Sequence, residues 1–343
     1  MALLANEFSK TSFIDVHLII YGNDVPAVYD LVEGVTVHRP EFKFNKRFRL
    51  LSTLRRLLFL RATLRRGRYD AILSFGERWN SFVMLAALGL REKIYLSDRS
   101  SPRLDIGWGQ TCLRRLLYPR ATGLLAQTRQ ARDMAIERGL NERIDVVPNP
   151  VVMPQIASES RREKIILSVG RMVSTKNFDH LIEIFAALNA DEWKLIIVGD
   201  DSQGQNHKSY LIDLAKRLGV SDRVAFAGER ADVQSFYDQA KIFCTTSSSE
   251  GFPNVVAEAL ASGLPVVSYD CVAGPSDLIA SGENGYLIDL FDQRTFRQRL
   301  GELVFDEGKR MQMSIKARES VARLSVGLVA SRVLEIMQIR ESR

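Results

Sequence analysis

Short apolar runs alternate with amphipathic stretches along almost the whole chain. In the second half the apolar runs are about five residues long and rich in Val and Ile. Such runs, separated by helical patterns, predict parallel β-strands joined by crossover helices. The predicted strands of this half are Ile165–Val169, Lys194–Val198, Val224–Gly228, Lys241–Thr245, Pro265–Tyr269 and Gly285–Asp289.

The first half repeats the pattern and predicts a second sheet. Its predicted strands are Ile14–Ile20, Val35–Arg39, Asp70–Phe75, Lys93–Ser97 and Gly123–Gln127. Between the halves, Val146–Glu163 contains three prolines and then a polar run, as an interdomain connection does. The pattern therefore predicts two doubly wound α/β domains, residues 1–155 and 156–325, followed by a C-terminal helix, 326–343, that could cross back to the first domain. Ligands are expected at the carboxyl ends of the strands.

Composition limits the number of domains, the kinds of cysteine or metal site and the cellular location that the chain can have. With 343 residues, 46% of them hydrophobic, the chain can bury the cores of two domains. Its three cysteines are scattered and it has only four histidines, so neither a disulfide framework nor a zinc site is predicted. The first residues lack a basic leader, and no apolar run is as long as a membrane span. We therefore expect a cytoplasmic protein that is neither exported nor membrane-spanning.

Charge is divided unequally between the halves. Residues 1–150 hold 24 Lys and Arg against 15 Asp and Glu, whereas the rest of the chain is slightly acidic. Most of the excess lies in Phe42–Arg68, where ten basic residues occur without an acid and leucines recur at helical spacing. Leu54, Leu57, Leu58, Phe59 and Leu64 are predicted to share one helix face, with Arg55, Arg56, Arg61, Arg65 and Arg66 on the others.

This basic segment has three interpretations. It is either a crossover helix with a solvated basic side or an amphipathic helix that binds an anionic membrane surface. Nucleic acid is the weakest partner, because no nucleic-acid-binding module accompanies the segment, and we predict none.

The loop after the first strand of the second domain could bind a diphosphate. Gly170 permits a sharp exit from the strand, Arg171 and Lys176 flank the turn, and a helix begins near Asn177. A helix N-terminus with two cations favours an anion. Neither a Walker pattern nor a Gly-x-Gly-x-x-Gly sequence is present, which argues against a nucleotide triphosphatase and a dehydrogenase. Taken alone, Arg171 and Lys176 are better explained as solvated loop cations, so the prediction rests on the combination of the glycine turn, the two cations and the helix N-terminus.

Two glutamates with seven residues between them lie further along. Glu250 follows a serine run and precedes Gly251 and Pro253, so it is predicted on a loop, whereas Glu258 falls in an apolar-periodic helix. The alternatives are a surface loop acid and an acid in the first helical turn stabilised by the helix dipole.

Together these residues resemble a known enzyme family. The segments SVGRMVSTKNFDHLIEIF, IIVGDD and VAFAGERADVQSFYDQAKIFCTTSSSEGFPNVVAEALASGLPVVSYDCVAGPSDLIASGENGYLI are similar to the C-terminal domain of retaining GT-B glycosyltransferases of family 4. The resemblance is continuous over about residues 164–289 and weaker over the first half. DCVAGPSDLI is similar to bacterial members that build cell-surface polysaccharides and lipid-linked oligosaccharides.

The resemblance implies a role for each residue of the site. The fold would be GT-B, with two Rossmann-like domains and a cleft between them. Glu250 would hydrogen-bond the donor sugar, Glu258 the ribose, and Arg171 and Lys176 would stabilise charge on the departing β-phosphate. Catalysis is assigned to Arg171, Lys176 and Glu250. The full nucleotide-sugar-binding set is Gly170, Arg171, Lys176, Glu229, Arg230, Glu250, Gly251, Phe252, Pro253, Asn254 and Glu258. No Asp-x-Asp triplet occurs, so no metal or other cofactor is expected.

Two departures from the family pattern qualify this assignment. Relatives begin with a strand and a glycine-rich loop ahead of a helix resembling MALLANEFSK, so the N-terminal domain is expected to lack its first strand and to leave an unfilled slot in its sheet. Where relatives often carry a histidine near the acceptor, this chain has Asp98 and Arg99. An arginine cannot act as a base. It could bind an acceptor phosphate, or the pair could form a plain loop salt bridge.

Two functions follow. The first is an enzyme that moves a hexose or N-acetylhexosamine from a UDP-sugar to a lipid-linked or glycan acceptor, peripherally bound through Phe42–Arg68 to the inner face of the cell membrane. The second is a catalytically silent module that binds a nucleotide sugar but has an incomplete acceptor domain.

Overall fold

The computed structural model describes residues 1–21, 31–155, 162–201 and 206–340. The chain divides into two compact units. Unit 1 comprises Met1–Pro150 together with Val326–Arg343, and unit 2 comprises Val151–Ser325. The predicted boundary after residue 155 thus falls inside unit 2, and residues 156–161 of the predicted connection lie outside the described ranges.

Unit 1 is built from short parallel strands and helices. Its strands are β1 (Val16–Ile19), β2 (Val35–His38), β3 (Ala71–Phe75), β4 (Lys93–Ser97), β5 (Gly123–Ala126) and β6 (Ile144–Val146). Its first five helices are α1 (Ala2–Phe8), α2 (Arg49–Gly67), α3 (Glu77–Ala86), α4 (Trp108–Leu117) and α5 (Arg129–Glu137). The last helix of the chain, α12 (Val326–Met337), also belongs to this unit.

The strands of unit 1 form two sheets rather than one. β1 pairs with β2, and β3 to β6 form a four-stranded sheet in the order β3-β4-β5-β6. All of these pairs are parallel. Among the described residues no ladder joins β1 to β3, so the interruption that the family resemblance implies lies between these two strands.

Successive side chains of β4 point to opposite faces of the larger sheet, and both faces are covered by helices. Leu96 packs in one cluster with Leu60 and Leu64 of α2. Tyr95, its neighbour in sequence, points to the opposite face and packs with Val333 of α12. The Tyr95 hydroxyl also donates to the Ile336 carbonyl at 3.3 Å. A parallel sheet buried on both faces accounts for strands that are apolar at nearly every position.

Two expectations for unit 1 are wrong. The strand β6 was not predicted, and Val146, expected to open the interdomain connection, ends that strand. The predicted apolar face of α2 is correct for Leu64, which is buried, but wrong for Leu54 and Leu58, which are exposed, and it omitted the buried Leu60. Leucines occur on several sides of this helix, so spacing alone does not identify the buried face.

Unit 2 contains one continuous parallel sheet. Its strands are β7 (Ile165–Val169), β8 (Lys194–Val198), β9 (Val224–Gly228), β10 (Ile242–Thr245), β11 (Val266–Tyr269) and β12 (Gly285–Ile288). Its helices are α6 (Phe178–Ala186), α7 (His207–Arg217), α8 (Gln234–Gln239), α9 (Asn254–Ala261), α10 (Gln293–Phe305) and α11 (Glu307–Val321). The strand order is β12-β11-β10-β7-β8-β9.

Helices cover both faces of this sheet. Phe185 of α6 and Phe296 of α10 belong to the core cluster on one face, and Leu260 of α9 and Val321 of α11 belong to the cluster on the other. The helices α10 and α11 begin with capping aspartates, Asp292 and Asp306, which accept hydrogen bonds from the first-turn amides. The strands β7 to β9 coincide with their predictions, and β10 to β12 differ from theirs by one end residue.

Two general features complete the description. The cysteines are free, Cys112 exposed and Cys244 and Cys271 buried. No helix within the described ranges combines the length and the apolar character needed to cross a bilayer.

Candidate functional site

The strand order of unit 2 creates a crevice at one position along the sheet. From β7 the chain proceeds outward through β8 to β9, then returns to place β10 on the other side of β7 and continues outward to β12. In open parallel sheets ligands bind at the carboxyl edge where the order reverses. The loops that follow β7 and β10 lie at this point, and they contain the predicted phosphate loop and Glu250 respectively.

Hydrogen bonds lock these two loops together. The Ser248 amide donates to the Thr175 carbonyl at 2.8 Å. The Thr246 hydroxyl donates to the carbonyls of Lys176 and Asn177 at 2.9 and 2.8 Å, and the Asn177 side-chain amide donates to the Thr246 carbonyl at 2.8 Å. Asn177 has a left-handed backbone (φ 45°), which asparagine tolerates better than most residues. The loops therefore form one fixed support.

On this support Lys176 and Glu250 form an ion pair. The Lys176 Nζ lies 2.6 Å from Glu250 Oε1, and the two side chains are only 17% and 14% exposed. Residues 74 positions apart, both predicted to bind the donor, are thus in direct contact. The ammonium can bind an anionic group of a ligand, and the carboxylate beside it can accept hydrogen bonds from hydroxyls of the same ligand.

Glycines make room for this arrangement. A Cβ at Gly170 would lie 3.3 Å from Cε of Lys176, so the lysine side chain passes closely over this residue. A Cβ on Gly199, which follows β8, would lie 2.0 Å from the Gly170 carbonyl oxygen. Gly199 also has a φ of 132°, so a side chain there would be strained as well as obstructed.

Three further predicted residues lie at the same edge of the sheet and are more exposed to solvent than Lys176 and Glu250, namely Arg171, Glu229 and Arg230. Arg171 is exposed, and no side-chain hydrogen bond or ion pair joins it to another described residue. Glu229 and Arg230 are exposed after β9, two strands away from β7, and Arg230 Nε donates to the Ala227 carbonyl at 2.9 Å. The structure places these three residues at the edge without joining them to the Lys176–Glu250 pair.

The segment after Glu250 leads directly into α9. Phe252 and Pro253 are buried, and Asn254 is the first, exposed residue of the helix. A Cβ on Gly274 would lie 2.5 Å from Cδ of Pro253, so this loop packs tightly against the segment after β11. Gly251 is half-buried beside Glu250.

Glu258 lies on α9, as predicted, and Glu250 on the loop before it. It is the fifth helical residue, so the alternative of an acid in the first turn is wrong. The Tyr237 hydroxyl donates to Glu258 Oε2 at 3.0 Å. Burial raises the pKa of Glu258, while the hydrogen bond from Tyr237 opposes this shift. A carboxylate held in this way is desolvated and fixed, ready to accept hydrogen bonds from a ligand.

Two neighbours of the glutamates were not predicted. Cys271 is buried, and its pKa is raised to about 12 by burial and next by Glu250, so it is a protonated, inert thiol near that carboxylate. Tyr237 orients Glu258. Neither carries a sequence signal, because their contacts come from elements distant in the chain. A cavity of about 550 Å³ is lined by Ser174 and Asn177 but by neither Lys176 nor Glu250, and we do not assign it to the site.

In unit 1, Asp98 is held internally. Its carboxylate forms an ion pair with Arg114 and accepts from the Tyr118 hydroxyl at 2.7 Å and from the Asn80 side-chain amide at 3.0 Å. Burial raises its pKa, with Arg114 opposing. Asp98 therefore forms a salt bridge, as one of the two alternatives predicted, but its partner is Arg114 and not Arg99.

Arg99 occupies a different environment. Its guanidinium lies over the Phe75 ring, 4.2 Å from the centroid, and donates to the Asn149 side chain. Burial lowers its pKa to about 10, opposed by Asp98 and Glu77, and it remains a cation at neutral pH. Its guanidinium is therefore a largely buried cation at this end of β3 and β4, where the charges of Asp98 and Glu77 act on it.

Comparison with known proteins identifies the family. The model of Glycosyltransferase Family 4 matches residues 1–153, and that of Glycosyl transferases group 1 matches residues 153–320. The chain belongs to the family 4 glycosyltransferases. Both matched models are those of glycosyltransferase enzymes. The two parallel α/β units and the likeness to solved glycosyltransferase structures confirm the predicted GT-B fold class.

Individual relatives support this placement. The glycosyltransferase is 35% identical over 175 residues to an uncharacterised glycosyltransferase of Haemophilus influenzae, an alignment that covers 50% of this chain and 48% of the relative. The chain thus spans about half the length of that relative. It is 25% identical over 327 residues to a Campylobacter jejuni α-1,4-N-acetyl-D-galactosaminyltransferase whose acceptor is named as a glycan on diphospho-undecaprenol, covering 93% of this chain and 88% of the relative.

A solved structure shows the same fold. Anabaena Alr3699/HepE in complex with UDP-glucose superposes with a TM-score of 0.76 at 20% identity, covering 88% of this chain and 86% of that one. At this level of identity the likeness concerns the fold alone.

Proposed function

We propose that this glycosyltransferase moves a hexose or N-acetylhexosamine from a UDP-sugar to a lipid-linked or glycan acceptor of bacterial polysaccharide synthesis, with retention of anomeric configuration. The observation that carries the proposal is the Lys176–Glu250 pair at the switch point of the unit 2 sheet. A related fold binds UDP-glucose, and a relative along nearly the whole chain acts on an undecaprenol-linked acceptor.

The geometry suggests how one donor would use both glutamates. A diphosphate that engages the Lys176 ammonium leaves the Glu250 carboxylate free to accept hydrogen bonds from sugar hydroxyls. Glu258, fixed by Tyr237, accepts from the ribose. Arg171 has no competing side-chain partner among the described residues and is free to turn toward the phosphates, and Glu229 and Arg230 contact the outer part of the nucleotide.

Departure of the nucleoside diphosphate concentrates negative charge on the β-phosphate. Lys176 and Arg171 stabilise this charge, and loss of one such donor typically costs about 3–4 kcal/mol of barrier. The departing phosphate accepts the proton of the acceptor hydroxyl, so no separate base is assigned. Because the chain has no Asp-x-Asp triplet, we propose that the reaction proceeds without a bound metal.

We place the acceptor on unit 1 and the protein on the cytoplasmic face of the membrane. Arg99 is the candidate to contact an acceptor phosphate. The helix α2 presents exposed Leu50, Leu54 and Leu58 in one stripe beside exposed arginines, a combination suited to an anionic lipid surface. Arg61 is excluded from this surface because it donates to the carbonyls of Ala86 and Leu88, both at 2.8 Å.

One observation favours the alternative of a silent nucleotide-sugar-binding module, namely the divided sheet of unit 1. A single experiment separates the two functions. The purified chain is incubated with membrane extract and a panel of radiolabelled UDP-sugars, and lipid-extractable label is measured beside calorimetric binding of UDP. The proposed enzyme binds UDP and transfers one sugar of the panel. Binding without any transfer selects the silent module, and absence of binding contradicts both.

A further inference from the structure

A buried arginine lies where two helices of unit 2 end. Arg162 precedes β7 and is only 7% exposed. Its Nη1 donates to the carbonyls of Tyr237 and Ala240 at 3.1 and 2.6 Å, and its Nη2 donates to the Ser262 carbonyl at 2.6 Å. Ala240 and Ser262 are the residues at which α8 and α9 end. One guanidinium therefore joins the carboxyl ends of both helices.

An arginine suits this position better than a lysine. The last carbonyls of a helix have no partner within the helix, and the helix dipole favours a cation beside them. Two helix ends require donors that are fixed in one plane and point in different directions. The guanidinium of Arg162 provides such a fork, whereas the ammonium of a lysine is a single compact donor group.

The two helices depend on Arg162 to different degrees. The end of α9 is also held from α11, because Arg318 donates to the Ala261 carbonyl at 3.0 Å. The helix α8 has six residues, too few to be stable without tertiary contacts. Besides the contacts of Arg162, a hydrogen bond of 3.1 Å from the Gln234 side chain to the Ser262 hydroxyl links α8 to α9. Loss of Arg162 should therefore loosen α8 more than α9.

The residue of α8 that Arg162 binds is the one that orients Glu258. Tyr237 accepts from Arg162 at its backbone carbonyl and donates from its hydroxyl to Glu258 Oε2 at 3.0 Å. Burial raises the pKa of Tyr237, and Glu258 raises it further, so the hydroxyl keeps its proton and remains a donor. A carboxylate accepts several hydrogen bonds, so this contact orients Glu258 and leaves it able to accept from a ligand.

We propose that Arg162 is a positioning residue for nucleotide binding: by fixing the backbone of Tyr237, it keeps Glu258 in the orientation that accepts hydrogen bonds from the ribose hydroxyls. This role rests on the proposed function, in which Glu258 contacts the ribose. Arg162 is buried and acts through Tyr237, so its loss should affect recognition of the ribose hydroxyls. It should not affect recognition of the diphosphate, which is assigned to Lys176.

The experiment compares UDP with 2′,3′-dideoxy-UDP, which lacks both ribose hydroxyls. Titration calorimetry of the full chain gives the ratio of the two affinities. The wild type should bind UDP at least about tenfold more tightly than the dideoxy nucleotide, because hydrogen bonds to the Glu258 carboxylate are lost. Arg162→Met removes the guanidinium and keeps an apolar side chain. It should lower the ratio to about threefold or less, with the affinity for the dideoxy nucleotide nearly unchanged.

The ratio separates positioning from loss of stability, because unfolded protein binds neither nucleotide. The matched control is Arg310→Met. Arg310 is also buried, and it donates to the carbonyls of Leu303 and Val304 at the end of α10. This variant should keep the wild-type ratio.

Two further variants cover the case in which Arg162→Met does not fold. Arg162→Lys keeps the positive charge at the helix ends but lacks the fork, and it should also lower the ratio. Tyr237→Phe removes only the hydroxyl and should lower the ratio at least as far, because it deletes the contact through which Arg162 acts.

A wild-type ratio in the folded Arg162 variants would overturn the proposal. An equal fall of the ratio in Arg310→Met would also overturn it, because any weakening of unit 2 would then have the same effect. Equal binding of both nucleotides by the wild type is a different result. It would overturn the ribose contact of the proposed function and, with it, the positioning role of Arg162.

Discussion

The two units use similar building blocks but differ in the continuity of their sheets. In unit 2, β7 has a neighbour on each side, and its residues Ile165, Ile166 and Leu167 are almost completely buried. In unit 1, β3 has a neighbour on one side only among the described residues, and four of its five residues are only partly buried. A strand held on both edges fixes the loop that follows it. The difference explains why the loops of unit 2 bring Lys176 and Glu250 together in a defined site.

The largest expected contrast between the units is in stability. Ile166→Ala in β7 should lower the free energy of unfolding of unit 2 by about 2–5 kcal/mol, because truncation opens a cavity in a close-packed core. Ile72→Ala in β3 is the matched substitution in unit 1. It should cost about 1 kcal/mol or less, because that side chain already borders a cavity and loses fewer contacts.

Calorimetry of the full chain, with a separate transition for each unit, would measure both effects. Equal losses would show that β3 is packed as tightly as β7, against the comparison.

A second contrast lies between the two edges of the unit 2 sheet. Lys176→Ala at the carboxyl edge should weaken UDP binding by about 1.5–3 kcal/mol, the range for a hydrogen bond to a charged group. Lys164→Ala is the control, since Lys164 also pairs with a glutamate, Glu192, but at the amino end of β7. Titration calorimetry in EDTA measures both affinities. An unchanged UDP affinity for Lys176→Ala would show that this lysine does not bind the nucleotide. UDP binding that requires magnesium or manganese would contradict the metal-free proposal.

The Lys176→Ala variant leaves Glu250 without its partner. The double variant Lys176→Ala/Glu250→Gln removes this unpaired carboxylate and serves as the control for local unfolding. It should bind UDP as weakly as the single variant, and recovery of affinity would mean that the loss came from the stranded charge.

The two glutamates should differ in which step they affect. Glu258→Gln should weaken UDP binding by about 1–2 kcal/mol, because a ribose contact exists with or without the sugar. Glu250→Gln should leave UDP affinity unchanged or slightly tighter, since it frees the Lys176 ammonium, while it lowers turnover. Affinities from calorimetry and initial rates with the active UDP-sugar provide the comparison. Equal losses of UDP affinity in both variants would refute the division of roles.

The smallest effect per residue is expected at the surface of α2. Changing the exposed Arg55, Arg65 and Arg66 to glutamine should weaken attachment to anionic vesicles by about 1 kcal/mol per residue. The control changes three exposed arginines of unit 2, namely Arg217, Arg294 and Arg297. Vesicle sedimentation at two salt concentrations measures attachment. Equal pelleting of both triple variants and the wild type would show that α2 is a solvated crossover helix.

The sequence predicted unit 2 more accurately than unit 1 for physical reasons. The strands β7 to β9 are apolar runs buried on both faces. Polar residues follow such runs in the sequence, so the strand ends can be read from the change from apolar to polar residues. The three-residue β6 contains Asp145 and precedes a proline-rich segment, so it has no distinctive pattern. In α2 leucines occur around the helix, and only tertiary packing selects Leu60 and Leu64 as the buried ones.

The candidate site was predictable in its members but not in its contacts. Gly170, Lys176, Glu250 and Glu258 carry a recognisable order along the chain. The contact between Lys176 and Glu250 depends on β10 lying next to β7, which sequence order does not reveal. The roles of Tyr237 and Cys271 likewise depend on packing between distant elements.

The central claim is that the nucleotide binds at the carboxyl edge of the unit 2 sheet, between β7 and β10. Hydrogen exchange of the full chain in EDTA, with and without saturating UDP, tests it most directly. We predict slower exchange in residues 170–177 and 250–258, with no change in β3 or β4 of unit 1. Protection confined to unit 1, or no protection in either of these unit 2 segments while UDP is bound, would contradict the account.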